Sequence, residues 1–321
     1  MKASKLIFSA ATALVMSTAS WAQSYPERSI DLVVPYAAGG ATDVIARLVA
    51  TELPAQLGQH VVVVNKPGAG TTLAATEVAR SAPDGYKLFM TTAAHTISAS
   101  LYGNLRYDPI KDFAPVHLVA RIPIVLVTAT NFEPKTLAEY VKYATTVKEG
   151  ITVGSPGNGS PQHLAQALFQ KQTGSNFVHI PFKGDAPMLT DLLAGQIESA
   201  FVTLSAALPH IQSGKLNALA VSNPTRIPVI KNVPTMEEAG VPDFNAATWF
   251  GLFGPAGIDD SIEQRLHEAV NHVASDAAFV ERIETMGGQV VNLGPAEFRD
   301  YVKAESAQWA QAVEASGARV E

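Results

Sequence analysis

The sequence of 321 residues contains no cysteine. That absence excludes disulfides and thiolate chemistry, and it is compatible with export. Charge is scarce as well: Asp, Glu, Lys and Arg make up 16% of the chain, and 29 acids against 23 bases leave a formal charge of −6. No basic run or aromatic-basic stripe interrupts this acidic balance, so the chain is a poor nucleic-acid binder. No apolar run is long enough to span a bilayer.

Catalytic signatures are missing too. There is no G-x-S-x-G elbow and no Walker loop. Gly68-Ala69-Gly70-Thr71-Thr72-Leu73 has Leu where a dinucleotide fingerprint needs its third glycine. His267 to His272 resembles a zincin helix, but the spacing is one residue too long to stack both imidazoles on one face, which predicts a solvated helix face. His60, His117 and His210 read as ordinary surface or strand residues. The carboxylates are spread along the chain, so no catalytic pair can be named. No enzyme activity, cofactor or metal is expected.

What remains is rich in core-forming residues, with 47% hydrophobic side chains. Met1–Ala22 has Lys2 and Lys5, an apolar run Leu6–Met16 and then Ser20-Trp21-Ala22. This is the pattern of a secretory signal peptide cleaved before Gln23, and it places the mature chain in a periplasm or outside the cell. Cleavage removes two lysines and no acid, taking −6 to −8. The rest, roughly 300 residues, suits two domains or one large one.

Strand-like and helical stretches alternate, which predicts an α/β fold with largely parallel sheets. Strands are expected at 30–34, 60–64, 87–91, 122–128, 151–154, 178–180, 197–203, 216–221 and 248–254. Helices are expected at 44–57, 71–80, 136–147, 161–173, 187–194, 261–274, 277–286 and 296–315. Asn223–Pro242, with four prolines, reads as a long ordered loop.

The stretch Ile30–Asp43 organises this pattern: a buried strand, the Pro35 and Gly39-Gly40 turn, then a helix start. Free amides and the positive end of the helix dipole suit such a junction to an anion. The junctions at Pro67–Thr72, Gly154–His163 and Phe182–Pro187 share its small-residue chemistry, and together they suggest a cleft beyond the carboxyl ends of the strands. Ser160 fits an N-cap with Pro161 at the first helical position, which puts His163 in the first turn. Asp185 can cap the following helix, Phe182 could wall a ligand and Lys183 could attract one. Plain capping, core packing and solvated charge are the competing readings of these residues.

Taken together the junctions resemble the Bug/TctC family, the extracytoplasmic solute receptors of tripartite tricarboxylate transporters. The resemblance covers the whole mature chain. It rests on Val34–Asp43, Asn65–Gly70, His95, Leu101-Tyr102, Tyr107–Val116, Gly159-Ser160 with His163-Leu164, Phe182-Lys183-Gly184 with Pro187 and Asp191-Leu192, Val233–Gly240 and Trp249–Pro255. It implies a two-lobe periplasmic binding protein of the type II, Venus-flytrap kind with two chain crossings. Residues 23–123 and 246–321 would form lobe 1, and residues 124–245 lobe 2. Closure would trap a small carboxylate, held at the first junction by backbone amides and waters.

The binding residues it implies are Tyr36, Gly39, Gly40, Asp43, Thr71, Thr72 and His95 in lobe 1. From lobe 2 come Ser155, Gly159, Ser160, His163, Lys183, Gly184, Asp185 and Thr203. Asp43 could serve mainly to orient its turn. Thr71-Thr72, Ser98-Ala99 and Asp185 depart from the usual family pattern; if Asp185 faces the cleft it disfavours a second carboxylate, and if it caps its helix it says nothing. The partners implied are membrane transporter subunits, with a sensor kinase as an alternative, and a monomer is expected. The rival from another class is a periplasmic hydrolase or isomerase using His95 or His163, which would need an acid–base or nucleophilic partner within hydrogen-bond reach.

Overall fold

A computed structural model describes residues 25–316; Met1–Ala22, read above as a signal peptide, lies outside the described residues. The chain opens with β1 (Ile30–Val34), α1 (Ala41–Leu57), β2 (Val61–Asn65), a short 3-10 turn at Ala69–Thr71, α2 (Thr72–Ala79), β3 (Lys87–Thr91) and α3 (Ala94–Leu101). There follow β4 (Phe113–Ala129), α4 (Leu137–Thr146), β5 (Ile151–Ser155), α5 (Pro161–Thr173), β6 (Phe177–Pro181), α6 (Asp185–Leu193), β7 (Ser199–Thr203), α7 (Leu204–Gln212) and β8 (Leu216–Val221). The last elements are β9 (Ala247–Pro255), α8 (Asp260–Ser275), α9 (Ala277–Thr285), β10 (Gln289–Leu293) and α10 (Pro295–Ser316). Among the described residues no helix is long and apolar enough to cross a membrane.

The strands follow the order β2-β1-β3-β9-β4-β7-β5-β6, with β8 and β10 also paired to β4. The flanks are parallel, as the alternation predicts: β1 with β2 and β3, and β5 with β6 and β7. The middle is not, because every partner of β4 runs antiparallel to it. The expectation of largely parallel sheets therefore fails at the centre. There two long strands, β4 and β9, run side by side instead of being joined by helical crossovers.

This arrangement makes two lobes that share β4. Up to Pro123 its partners are β9 and β10, and from Ile124 it pairs with β7 and β8. In the first lobe α1 packs Ile45, Val49, Leu53 and Leu57 onto the sheet at helical spacing, and all four are buried. Each such side chain gains about 1.5–3 kcal/mol on leaving water, before the cost of ordering it. The other face holds Phe89, Phe113, Trp249 and Phe253 beneath α3 and α10, and α10 adds Phe298 to the cluster. The second lobe has its own core, built on Tyr140, Phe169 and Phe201.

One side chain joins the two passages between lobes. The Ser222 hydroxyl lies 2.8 Å from the Ile124 carbonyl and accepts from the Ile124 amide at 3.0 Å. It also bonds to the Ala246 carbonyl, while the Ala246 amide donates to the Ser222 carbonyl at 3.2 Å.

Candidate binding site

The carboxyl ends of β1, β2, β5 and β6 face one another across the lobes, and the loops that follow them enclose a cavity of about 190 Å3. Lobe 1 supplies Pro35, Tyr36 and Gly68–Thr71; lobe 2 supplies Pro156–Asn158, Ser160 and Pro181–Lys183. The lobes touch around it. The Ala37 amide donates to the Lys183 carbonyl at 2.8 Å, and the Ala41 amide donates to Asp185 Oδ2 at 3.2 Å. A Cβ on Gly184 would stand 3.3 Å from both the Ala37 nitrogen and the Tyr36 Cβ, and φ is +127° there. Gly70 is tighter still: at φ +56°, a Cβ would fall 1.9 Å from the Tyr102 hydroxyl and 2.6 Å from the Asn158 carbonyl of the other lobe.

The first loop is held rigid from behind. Asp43 is buried; its Oδ2 accepts from the Gly39 amide and Arg47 Nε, both at 2.9 Å, and its Oδ1 accepts from Asn65 Nδ2 at 2.9 Å. Burial by itself would raise this carboxyl, but Arg47, Gly39 and Asn65 together outweigh it and hold Asp43 below the usual carboxylate value. Asn65 also donates to the Tyr36 carbonyl at 3.0 Å, and the Tyr36 hydroxyl meets Thr92 Oγ1 at 3.0 Å. Sequence reasoning missed Asn65 and Thr92 as supports; the asparagine that ends β2 just before Pro67 was the available signal.

The second loop is built differently. Ala69, Gly70 and Thr71 all have positive φ, and only one of them is glycine. A β-branched residue at φ +80° is strained, and such strain gathers at functional positions. Thr71 lines the cavity, is 3% exposed, and its hydroxyl has no hydrogen-bond partner among the described residues.

Of the residues expected at the site, Tyr36, Thr71, Ser160 and Lys183 line the cavity, with Phe182 as a wall. Gly39, Gly40, Thr72, Gly159 and Gly184 belong to the loops around it without lining it. Ser160 caps α5 by accepting the His163 amide at 3.2 Å, with Pro161 first in the helix.

Five expected residues go elsewhere. His95 is fully buried among Phe89, Phe113 and Phe253, with Nε2 at 2.8 Å from the Pro109 carbonyl; burial pushes it down to about 4. His163 stacks on His179, ring centres 4.2 Å apart, and burial lowers it to about 4 as well. Ser155 is buried with its hydroxyl 2.6 Å from His179 Nε2, and Thr203 accepts from Gln162 Nε2 at 2.7 Å. Neither of the two nominated histidines reaches the cavity.

Asp185 is the fifth, and it is not the cap of its helix: Gly184 occupies that position, and no side chain caps α6. The carboxylate is turned instead onto the start of α1. Burial raises it to about 6, against the Ala41 amide and the nearby Thr203 amide and hydroxyl. Its Oδ1 has no hydrogen bond of its own. His267 also departs from expectation, since it stacks against His117 with Nδ1 atoms 3.0 Å apart rather than facing solvent.

Residues 45–318 match the family model described as tripartite tricarboxylate transporter family receptor. The chain belongs to this receptor family. It is similar to the periplasmic binding protein BugD, at 34% identity and a TM-score of 0.89, covering 92% of this chain and all of that one. It is also similar to a Rhodopseudomonas palustris protein with adipate, at 32% identity, a TM-score of 0.88, and 91% and 98% of the two chains. MatC from the same organism, with bound malate, matches at 34% identity and a TM-score of 0.86 over 90% of this receptor and all of MatC. The two-lobe periplasmic-binding-protein fold is thus shared over nearly the whole length of the receptor.

Proposed function

We propose that this protein is a periplasmic receptor that captures a small organic acid between its lobes and delivers it to a membrane transporter of the tripartite tricarboxylate type. Residues 23–123 with 246–321 form the first lobe and residues 124–245 the second, after cleavage of the signal peptide before Gln23. The observation that carries this reading is the cavity at the lobe contact, with the unpartnered Thr71 hydroxyl inside it and Lys183 at its wall. A buried hydroxyl without a partner is costly unless something else completes it. The carboxylates on MatC and on the adipate-bound relative support an acid as that partner.

The cavity is below the 300–1,000 Å3 typical of drug-sized ligands, which suits a molecule of few heavy atoms. The test is a thermal-shift and calorimetric screen of protein unfolded and refolded to strip carried-over ligand. Acids of the right class should raise the melting temperature with concentration and be recovered chemically unchanged. A panel of small acids that all fail to bind, or turnover of a bound acid, overturns the receptor reading.

A further inference from the structure

At the start of α1 part of the positive field of the helix is already answered from within the chain. Asp43 and Asp185 both place carboxylates there, and both are buried. The amides of Ala37, Gly39 and Ala41 are taken by Lys183, Asp43 and Asp185. A ligand carboxylate brought to this point would meet the Asp185 carboxylate, which has no cationic partner among the described residues, whereas Asp43 is paired with Arg47. It would also find these three donors used.

Within the cavity itself the situation differs. Thr71 offers a buried, unpartnered hydroxyl. Lys183 is exposed and has no acidic partner among the described residues. Among the described residues no Asp, Glu, Arg or His lines the cavity, and Pro35, Tyr36, Pro156 and Phe182 give it apolar walls. The cavity can therefore hold one anionic group, and the rest of its lining favours an uncharged body.

We propose that the cavity selects a monocarboxylate with a compact apolar body, its carboxylate on Thr71 and Lys183, and that Asp185 sets this choice by supplying from the protein the second carboxylate that a dicarboxylic ligand would bring. The proposal rests on the receptor reading and narrows it. Asp185 acts here as a specificity residue: it blocks an anion site without lining the cavity.

Calorimetry of the purified protein at pH 8 with acids paired by carbon number tests it: butyrate against succinate, hexanoate against adipate, benzoate against terephthalate. In the wild type the monocarboxylate of the best-binding pair binds about tenfold or more tightly than its dicarboxylate partner. In Asp185→Asn, which keeps the shape, and in Asp185→Ala, that ratio shrinks by about tenfold. Thr71→Val weakens the monocarboxylate by a similar factor. A dicarboxylate preference in the wild type overturns the proposal while leaving the receptor standing. So does an Asp185 variant that weakens both members of a pair equally, which is the mark of a merely structural role. If no acid of any pair binds, the receptor reading falls with it.

Discussion

The two glycine loops of lobe 1 flank one cavity yet are finished in opposite ways. The loop after β1 is tied down on all sides: Asp43, Asn65 and Thr92 hold it from its own lobe, and Lys183 and Asp185 reach it from the other. The loop after β2 is strained and incomplete, with three left-handed residues in a row and a buried hydroxyl that nothing answers. A tied loop positions its neighbours; in the proposed receptor the incomplete one meets the ligand. Similar glycine-rich sequences thus serve as frame in one place and as contact in the other, and the difference lies in who supplies the hydrogen-bond partners.

The sharpest way to break this contrast is Gly70→Ala. The added methyl meets Tyr102 and Asn158 at once, so the lobes cannot meet at this loop. Ligand affinity should fall about 100-fold by calorimetry, with the ligand-induced thermal shift lost. Asp43→Ala attacks the frame instead. It strands the Gly39 amide and Asn65, and urea unfolding should show a loss of about 2–3 kcal/mol even without ligand.

Asp185→Asn should act in the other direction and with a pH signature. The native state holds this proton up to about pH 6, whereas an unfolded aspartate releases it near 3.9. Between these values the native state binds more protons, so the contribution of Asp185 to stability falls as pH rises, and the penalty is complete above pH 6. The asparagine variant should therefore be more stable than the wild type by about 1–2 kcal/mol at pH 7.5, with the gain vanishing near pH 4. Equal curves at both pH values would refute the buried, charged carboxylate. The smallest effect belongs to Thr71→Val. Removing an unanswered hydroxyl at unchanged shape should raise the stability of the ligand-free protein by about 0.5–1 kcal/mol while weakening the ligand. A loss of stability would show that the hydroxyl has a structural partner.

Much of this architecture was legible in the residues. β3, α5 and β8 lie where the patterns place them, because each is bounded by turn residues and has an uninterrupted period. Three elements were not read. Helix α3 is short and carries Thr96, Ser98 and Ser100 among its few apolar positions, so its period is weak. Helix α7 follows β7 with no intervening loop, and β10 bends at Asn292, with φ +56° and a shift in register. The first half of β4 is broken in pattern by Pro115 and His117, and only pairing with β9 reveals it as a strand.

The site was half legible for a related reason. A motif marks which loops meet, and Tyr36, Thr71, Ser160 and Lys183 do meet. Which way a side chain turns depends on partners far along the chain. Asp185 finds the Ala41 amide 144 residues away, and His95 is claimed by an aromatic cluster that includes Phe253. No local spacing encodes such choices.

The Ser222 hydroxyl has a mechanical consequence. Both routes by which the backbone passes between lobes are fastened to the same oxygen, at Ile124 and at Ala246. Two independent pivots would let the halves twist and slide as well as swing. A pair pinned together at one atom leaves mainly a swing, as with a door whose two leaves of hinge share a single pin. In the proposed receptor, every contact a ligand makes with either half then feeds into one angle, and a transporter need only sense that angle to tell a loaded protein from an empty one.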